Sequence, residues 1–264
     1  MMSQYIHNKK TPINELKFYT LLKFENRLPD RKVYRKGAWC YRCSLLENNM
    51  DAIFACHRID CVPRRWKDAA GSIVTDGVER IQKAGGSLYG VWRSQIGLPR
   101  DTVIAITIWP DIKTASEHAS LLDRGLATVR ASGYEILHPT SRPKNDEAPE
   151  RQGNYAFRWF ETPTEKYDEF MELCIAAWPD FESSFDSQVI GLWKVSGEGP
   201  TVRSLLLTRR PDLAMWERSK IPANEIEFEM REKLNRRYDL CDWTVVNTMT
   251  LITATDSQDK VRWA

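Results

Sequence analysis

The sequence predicts an α+β fold made of two tandem βαββαβ modules packed sheet to sheet. Three observations carry this: a segment repeated at a spacing of 100 to 101 residues, one order of strand and helix patterns shared by both copies, and strands apolar on both faces. The segment LYGVWRSQIGLPRDTVIAITIWPD at 88–111 aligns without a gap with VIGLWKVSGEGPTVRSLLLTRRPD at 189–212. At an offset of 101, Gly90 meets Gly191, Trp92 meets Trp193, Pro99 meets Pro200 and Thr107 meets Thr208. Pro110 and Asp111 meet Pro211 and Asp212, and Arg93 meets Lys194. At an offset of 100, Arg58 and Pro63 meet Arg158 and Pro163. Self-similarity at a fixed period marks duplicated supersecondary units.

Residues 1–48 lie outside the repeat and form an extension in which 16–24 and 38–46 read as extra strands. The first module spans 49–138. Its elements are a strand at 53–59, a helix at 63–83 carrying Trp66, Ala70, Ile73, Val78 and Ile81, and strands at 88–94 and 102–108. A helical stretch at 111–130 and a short strand at 134–138 complete it. Residues 139–153, with three prolines and many charges, read as a linker. The second module spans 154–254 and opens with an aromatic strand at 155–161. Thr162-Pro163-Thr164-Glu165 reads as a capping box. Tyr167, Phe170, Met171, Cys174 and Trp178 follow at helical spacing, and Pro179 reads as the stop. Strands at 189–195 and 202–208 come next, then helical sequence from Asp212 that resumes at Asn224 with Ile226, Met230 and Leu234 on one face. A strand at 243–252 and a tail at 255–264 end the chain. The order βαββαβ is the ferredoxin-like arrangement. Strands such as 102–108, apolar on both faces, need cover on both, and a second sheet supplies it.

The 38 basic and 36 acidic residues nearly cancel. Nucleic-acid and anionic-membrane partners, which select a basic excess, are therefore not expected. No window approaches the roughly 18 apolar residues of a membrane span, and residues 1–17 lack the apolar core of a signal peptide. Six cysteines without such a signal imply reduced thiols and a cytoplasmic location. Cys40 and Cys43, with Cys56, His57 and Cys61, have a zinc-like look, but the second CxxC is missing, so no metal is expected.

Gly85-Gly86 followed by LYGVWRSQIGLPRDTVIAITIWPD resembles the NIPSNAP family of the dimeric α+β barrel superfamily. The likeness rests on Gly86, Gly90, Trp92, Ile96 and Gly97, and weakens in the second copy to Gly191 and Trp193. It implies two modules forming an intrachain barrel. It also implies a small-molecule enzyme or binder, monooxygenase-like or cyclase/lyase-like, acting by cofactor-independent oxidation or proton-transfer rearrangement. No cofactor is the resulting expectation, with haem as the alternative. Duplicated haem enzymes of the superfamily often take a histidine ligand from the second module, which here has none, leaving His118 as the opening for haem. An interaction or scaffold protein is the competing reading, and a homodimer is open to either.

Asp111 and Asp212, each after a proline and before a helical run, read as N-caps rather than paired catalytic carboxylates. Apart from His7, the histidines fall in the first copy: His57, His118 and His138. His57 or His118 is the candidate general base. Arg58, Arg93 and Arg158 are candidates to hold an anionic group, because a strand-borne arginine in a buried sheet needs an anionic partner. Ten tryptophans suggest an aromatic-walled pocket, with Trp66, Tyr89 and Trp92 as the lining for an apolar or aromatic molecule.

Overall fold

The computed structural model describes residues 52–256. The extra strands expected at 16–24 and 38–46, Cys40, Cys43 and His7 lie outside the described residues, as do the last eight residues of the tail. Strands β1 (Ile53–Cys61), β2 (Ser87–Ile96), β3 (Thr102–Trp109) and β4 (Val129–Arg142) form one antiparallel sheet in the order β4-β1-β3-β2. Strands β5 (Asn154–Pro163), β6 (Gln188–Val195), β7 (Thr201–Arg210) and β8 (Trp243–Leu251) repeat it as β8-β5-β7-β6. The edges then pair, β2 with β8 and β4 with β6, so the two sheets close into one barrel with no free edge.

Three apolar cores result. One fills the barrel, and one lies between each sheet and its own helices. The barrel core explains the repeated Gly-x-Trp. Trp92 crosses to Tyr155 and Phe157 of the second module at 5.9 and 5.2 Å. Trp193 crosses the other way, to Phe54 and Tyr89, at 5.5 and 6.2 Å. Each indole folds back over the glycine two residues before it, where the ladder bulges in both modules.

Helices α1 (Trp66–Ser72) and α2 (Val78–Lys83), joined by a π-helical turn, and α3 (Ile112–His118) cover the first sheet. Helices α4 (Tyr167–Phe185), α5 (Leu213–Arg218) and α6 (Glu225–Asp239) belong to the second module. Asp111 and Asp212 cap α3 and α5, accepting the Thr114 and Met215 backbone N–H at 2.8 and 2.7 Å. Each Asp→Ala change is expected to cost about 1 kcal/mol in urea unfolding.

Four local expectations change. The helix expected over 111–130 is the short α3 followed by a 3-10 turn. The strand expected at 134–138 is the 14-residue β4, which takes the first four residues of the expected linker. The extra length forms the seam, for Leu137 pairs with Phe54 of β1 and with Val195 of β6. The box at 162–165 does not cap a helix: Thr162 and Pro163 finish β5, and Thr164 Oγ1 donates to the Gly199 carbonyl at 2.8 Å. Pro179 does not stop α4, which continues to Phe185. An interior proline costs about 3 kcal/mol, and burying Phe181 and Phe185 beyond it returns about 2 kcal/mol each.

The ladders of the first three strands of each sheet correspond at an offset of 101, whereas β4 and β8 correspond at an offset of 112. Ile53 pairs with Trp109 as Asn154 pairs with Arg210, and Trp92 pairs with Ile104 as Trp193 pairs with Leu205. The match of Arg58 with Arg158 is therefore one residue out. A one-residue slip in a strand moves a side chain to the other face. The counterpart of Arg158 is His57.

Candidate functional site

On the helix-facing side of the second sheet, β5 presents Ala156, Arg158 and Phe160, while Phe157 and Tyr155 face the barrel. The neighbouring strand β7 presents Leu206, Thr208 and Arg210 on the same side. On α6, Arg231, Leu234 and Tyr238 recur at helical spacing, with Arg237 beside them. These groups, with Trp178 and Phe181 of α4 and Trp216 of α5, enclose a cavity of about 70 Å³.

Its electrostatics are unusual. Arg158, Arg210, Arg231 and Arg237 all line it. The ion pairs nearby involve other residues: Arg218 with Glu227 at 2.7 Å, Arg236 with Glu169 at 3.0 Å and Lys233 with Asp180 at 3.8 Å. Among the described residues, no carboxylate pairs with the four cavity arginines. The charges of Arg158, Arg210 and Arg237 rest on aromatic faces instead. Arg210 lies 4.4 Å from the Trp216 ring and 5.0 Å from Phe181. Arg158 lies 5.3 Å from Tyr238, and Arg237 4.8 Å from Tyr238 and 5.0 Å from Phe160.

Such contacts are worth about 2 kcal/mol when desolvated, well short of the cost of burying a cation. Arg237 is 3% exposed and Arg210 9% exposed. The Nε atoms of Arg210, Arg231 and Arg237 are buried without a hydrogen-bond acceptor, as is Trp178 Nε1. Burial, and then the charge of Arg158, bring Arg210 down to about 10. Burial and neighbouring arginines lower Arg158 and Arg231 as well. Burial raises the Tyr238 phenol, but Arg237, Arg158 and Arg231 outweigh it and leave the phenol below its ordinary value. The arrangement is that of an anion site: converging donors, excess positive charge and low polarity around them.

The same positions in the first module are filled. His57 stands where Arg158 does, and Trp109 where Arg210 does. Trp109 Nε1 donates to Thr107 Oγ1 at 2.8 Å, and that hydroxyl lies 3.0 Å from His57 Nε2. The tyrosine ring of Tyr134 closes over His57 at 5.5 Å. The duplicated threonine, Thr107 or Thr208, thus anchors an indole in one module and a guanidinium, Arg210 at 3.2 Å, in the other.

Of the site residues expected from sequence, only Arg158 lies in this cavity. His57 is buried, and burial lowers it to about 3, far from a base poised near neutral pH. His118 ends α3, half exposed, 3.8 Å from Glu117. Arg58 is exposed and pairs with Asp60 at 3.3 Å. The expected cluster of His57, His118 and Arg58 is not assembled, because Arg58 and His57 point to opposite faces of β1. Trp92 is barrel core, and Tyr89 packs there at the edge of an open groove beside 142–151. Trp66 is buried in the first module's core, with the Arg93 guanidinium 5.2 Å from its ring. Cys56 faces the barrel, and Cys61 the first module's helix-side core.

Sequence reasoning missed Arg210, Arg231, Arg237, Tyr238 and Trp216. A usable signal was present. Arg210 continues the helix-facing parity of Leu206 and Thr208, and Arg237 continues the buried face of Met230 and Leu234. Ile226, expected on that face, is exposed, and Glu227 takes its place, bonded to Arg218 and to the Ala223 N–H.

No protein-family model matches the chain, and no curated protein matches it. Solved structures do. An anthrone oxidase-like protein is 12% identical, with 78% of this chain and 93% of that one covered and a TM-score of 0.53. A putative monooxygenase from Fusobacterium nucleatum is 8% identical, covering 76% and 92%, with a TM-score of 0.50. At such identities the likeness establishes the fold alone, a dimeric α+β barrel. A haem-binding protein from Thermus thermophilus is 13% identical, covering 76% and 90%, with a TM-score of 0.43.

The expectation of no cofactor is withdrawn, since the similar protein from Thermus thermophilus is described as haem-binding. The cavity's own residues do not fit haem. Among the described residues, no histidine, cysteine or methionine lines it, Tyr238 is the one lining side chain of an iron-ligating type, and about 70 Å³ does not admit a macrocycle. Among the described residues, no helix is long and apolar enough to cross a membrane.

Proposed function

We propose that the protein binds a small anionic molecule in the cavity between the second module's sheet and its helices. The observation that carries this is four arginines, two of them at least nine-tenths buried, converging without a carboxylate partner among the described residues. Buried cations persist when a counter-charge completes them, and here a ligand is the missing counter-charge. The fold's solved relatives, a monooxygenase and an anthrone oxidase-like protein by description, support small-molecule chemistry as the general class. Kinship with the NIPSNAP family belongs to the same reading, supported by Gly86, Gly90, Trp92, Ile96 and Gly97. The free thiols of Cys56, Cys61, Cys174 and Cys241 support a reducing compartment.

The test is thermal unfolding in potassium phosphate or acetate against potassium chloride at matched ionic strength. An anion present at 100 times its dissociation constant stabilises by about 2.7 kcal/mol, and a rise in Tm is expected with at least one anion. The Arg158→Gln/Arg231→Gln double variant is expected to lose the rise. Equal Tm values in all salts would overturn the reading and return weight to a scaffold role.

A further inference from the structure

The cavity's aromatic rings are already occupied. One ring, Trp216, carries Arg210 at 4.4 Å, Lys220 at 5.7 Å and Arg158 at 6.0 Å. Tyr238 carries Arg237 and Arg158, and Phe181 carries Arg210. Rings covered by guanidinium groups hold cations in place and offer no free face on which a flat ligand stacks. The cavity's volume, about 70 Å³ and open on one side, suits a compact headgroup more than a ring system.

Charge and donor count narrow the headgroup further. Four guanidinium groups line the cavity, with Lys220 at its edge, and among the described residues no acidic side chain lines it. A single carboxylate offers one negative charge and two oxygens, leaving most of this repulsion uncompensated. Four buried N–H donors await acceptors, the Nε atoms of Arg210, Arg231 and Arg237 and Trp178 Nε1. A phosphate monoester offers close to two charges and three strong acceptor oxygens. Arginine is the side chain suited to such a group, because its planar fork meets two oxygens at once.

Resting on the anion reading above, we infer that the cavity seats the dianionic phosphate group of a phosphomonoester, with Arg158, Arg210 and Arg231 as its principal ligands and the ester substituent directed outward past Lys220. Binding leaves the phosphate intact; no bond is made or broken.

Isothermal titration of the full chain at pH 8 with methyl phosphate, methyl sulfate and acetate tests this. Methyl phosphate and methyl sulfate share a tetrahedral shape, but methyl sulfate carries one charge. Methyl phosphate is expected to bind at least tenfold tighter than either. Arg210→Gln and Arg231→Gln are each expected to weaken it tenfold or more, and Arg58→Gln, remote from the cavity, to leave it unchanged. Arg231 is only partly buried on α6, so its variant keeps the test decisive if Arg210→Gln does not fold. If methyl sulfate or acetate binds as tightly as methyl phosphate, the dianion inference falls while the anion site stands. If none of the three binds, both fall.

Discussion

Gly90→Ala is expected to destabilise the protein by about 3 kcal/mol, the upper end of overpacking costs, with Gly191→Ala close behind. A Cβ at Gly90 would lie 2.8 Å from Trp92 Cζ3, and one at Gly191 would lie 2.7 Å from Trp193 Cζ2. Neither indole can retreat. Both are fully buried in the barrel core, held by aromatic rings of the opposite module. Each clash would therefore spread to the packing between modules, not to one strand. Guanidinium chloride unfolding measures the loss. The double variant Gly90→Ala/Trp92→Phe supplies the sharper reading, because the shorter ring withdraws from the new methyl group. Its total cost is expected to fall clearly below the sum of the two single changes, a coupling that contact between the sites requires. Additive costs, or a neutral Gly90→Ala, would sink the argument.

Acid is expected to unfold the protein through His57. Burial holds this ring neutral in the folded state, with its pKa lowered from 6.5 to about 3, while the unfolded chain takes up a proton at the ordinary value. Above pH 6.5 the ring is neutral in both states and costs nothing. As pH falls from 6.5 toward 3 the unfolded state gains the proton, so stability is lost through that window and the loss levels off below it. The full shift corresponds to a penalty of order 5 kcal/mol, about 3 kcal/mol of it by pH 4. His57→Gln keeps a polar partner for Thr107 without a titrating ring. Its stability at pH 7 is expected to be somewhat lower than wild type, and its loss between pH 7 and pH 4 clearly smaller. Parallel curves for the two proteins would place the acid lability elsewhere.

Much of the fold was legible because its signals are local. Apolar and aromatic runs announced β1, β3, β5 and β7, and proline followed by aspartate announced the capped starts of α3 and α5. The ungapped match of 88–111 with 189–212 carried the duplication. What failed was what depends on a distant partner. The length of β4 is set by β6, which it joins across the seam. The persistence of α4 beyond Pro179 is set by the core that receives Phe181 and Phe185. The site was harder still. Arg158 was recognisable as a buried-strand cation in need of an anion, but its apparent twin, Arg58, is solvated and paired with Asp60. One residue of register separates the two cases, and the ladder, not the local sequence, shows which offset is real.

By itself, then, the sequence determined the two-module α+β plan, because strand and helix periods and the repeat are written in neighbouring residues. Only the tertiary structure decided which module is open. The paired strands carry the same threonine at 107 and 208 and the same bulge before each tryptophan. At two equivalent points one module has His57 and Trp109 and the other Arg158 and Arg210. The first pair closes on the shared threonine and fills its space. The second pair carries charges that repel one another and cannot close without a counter-ion, and α6 adds two more arginines from far along the chain. Like charges brought together from separate elements leave no trace in local pattern, because each is unremarkable until folding makes them neighbours.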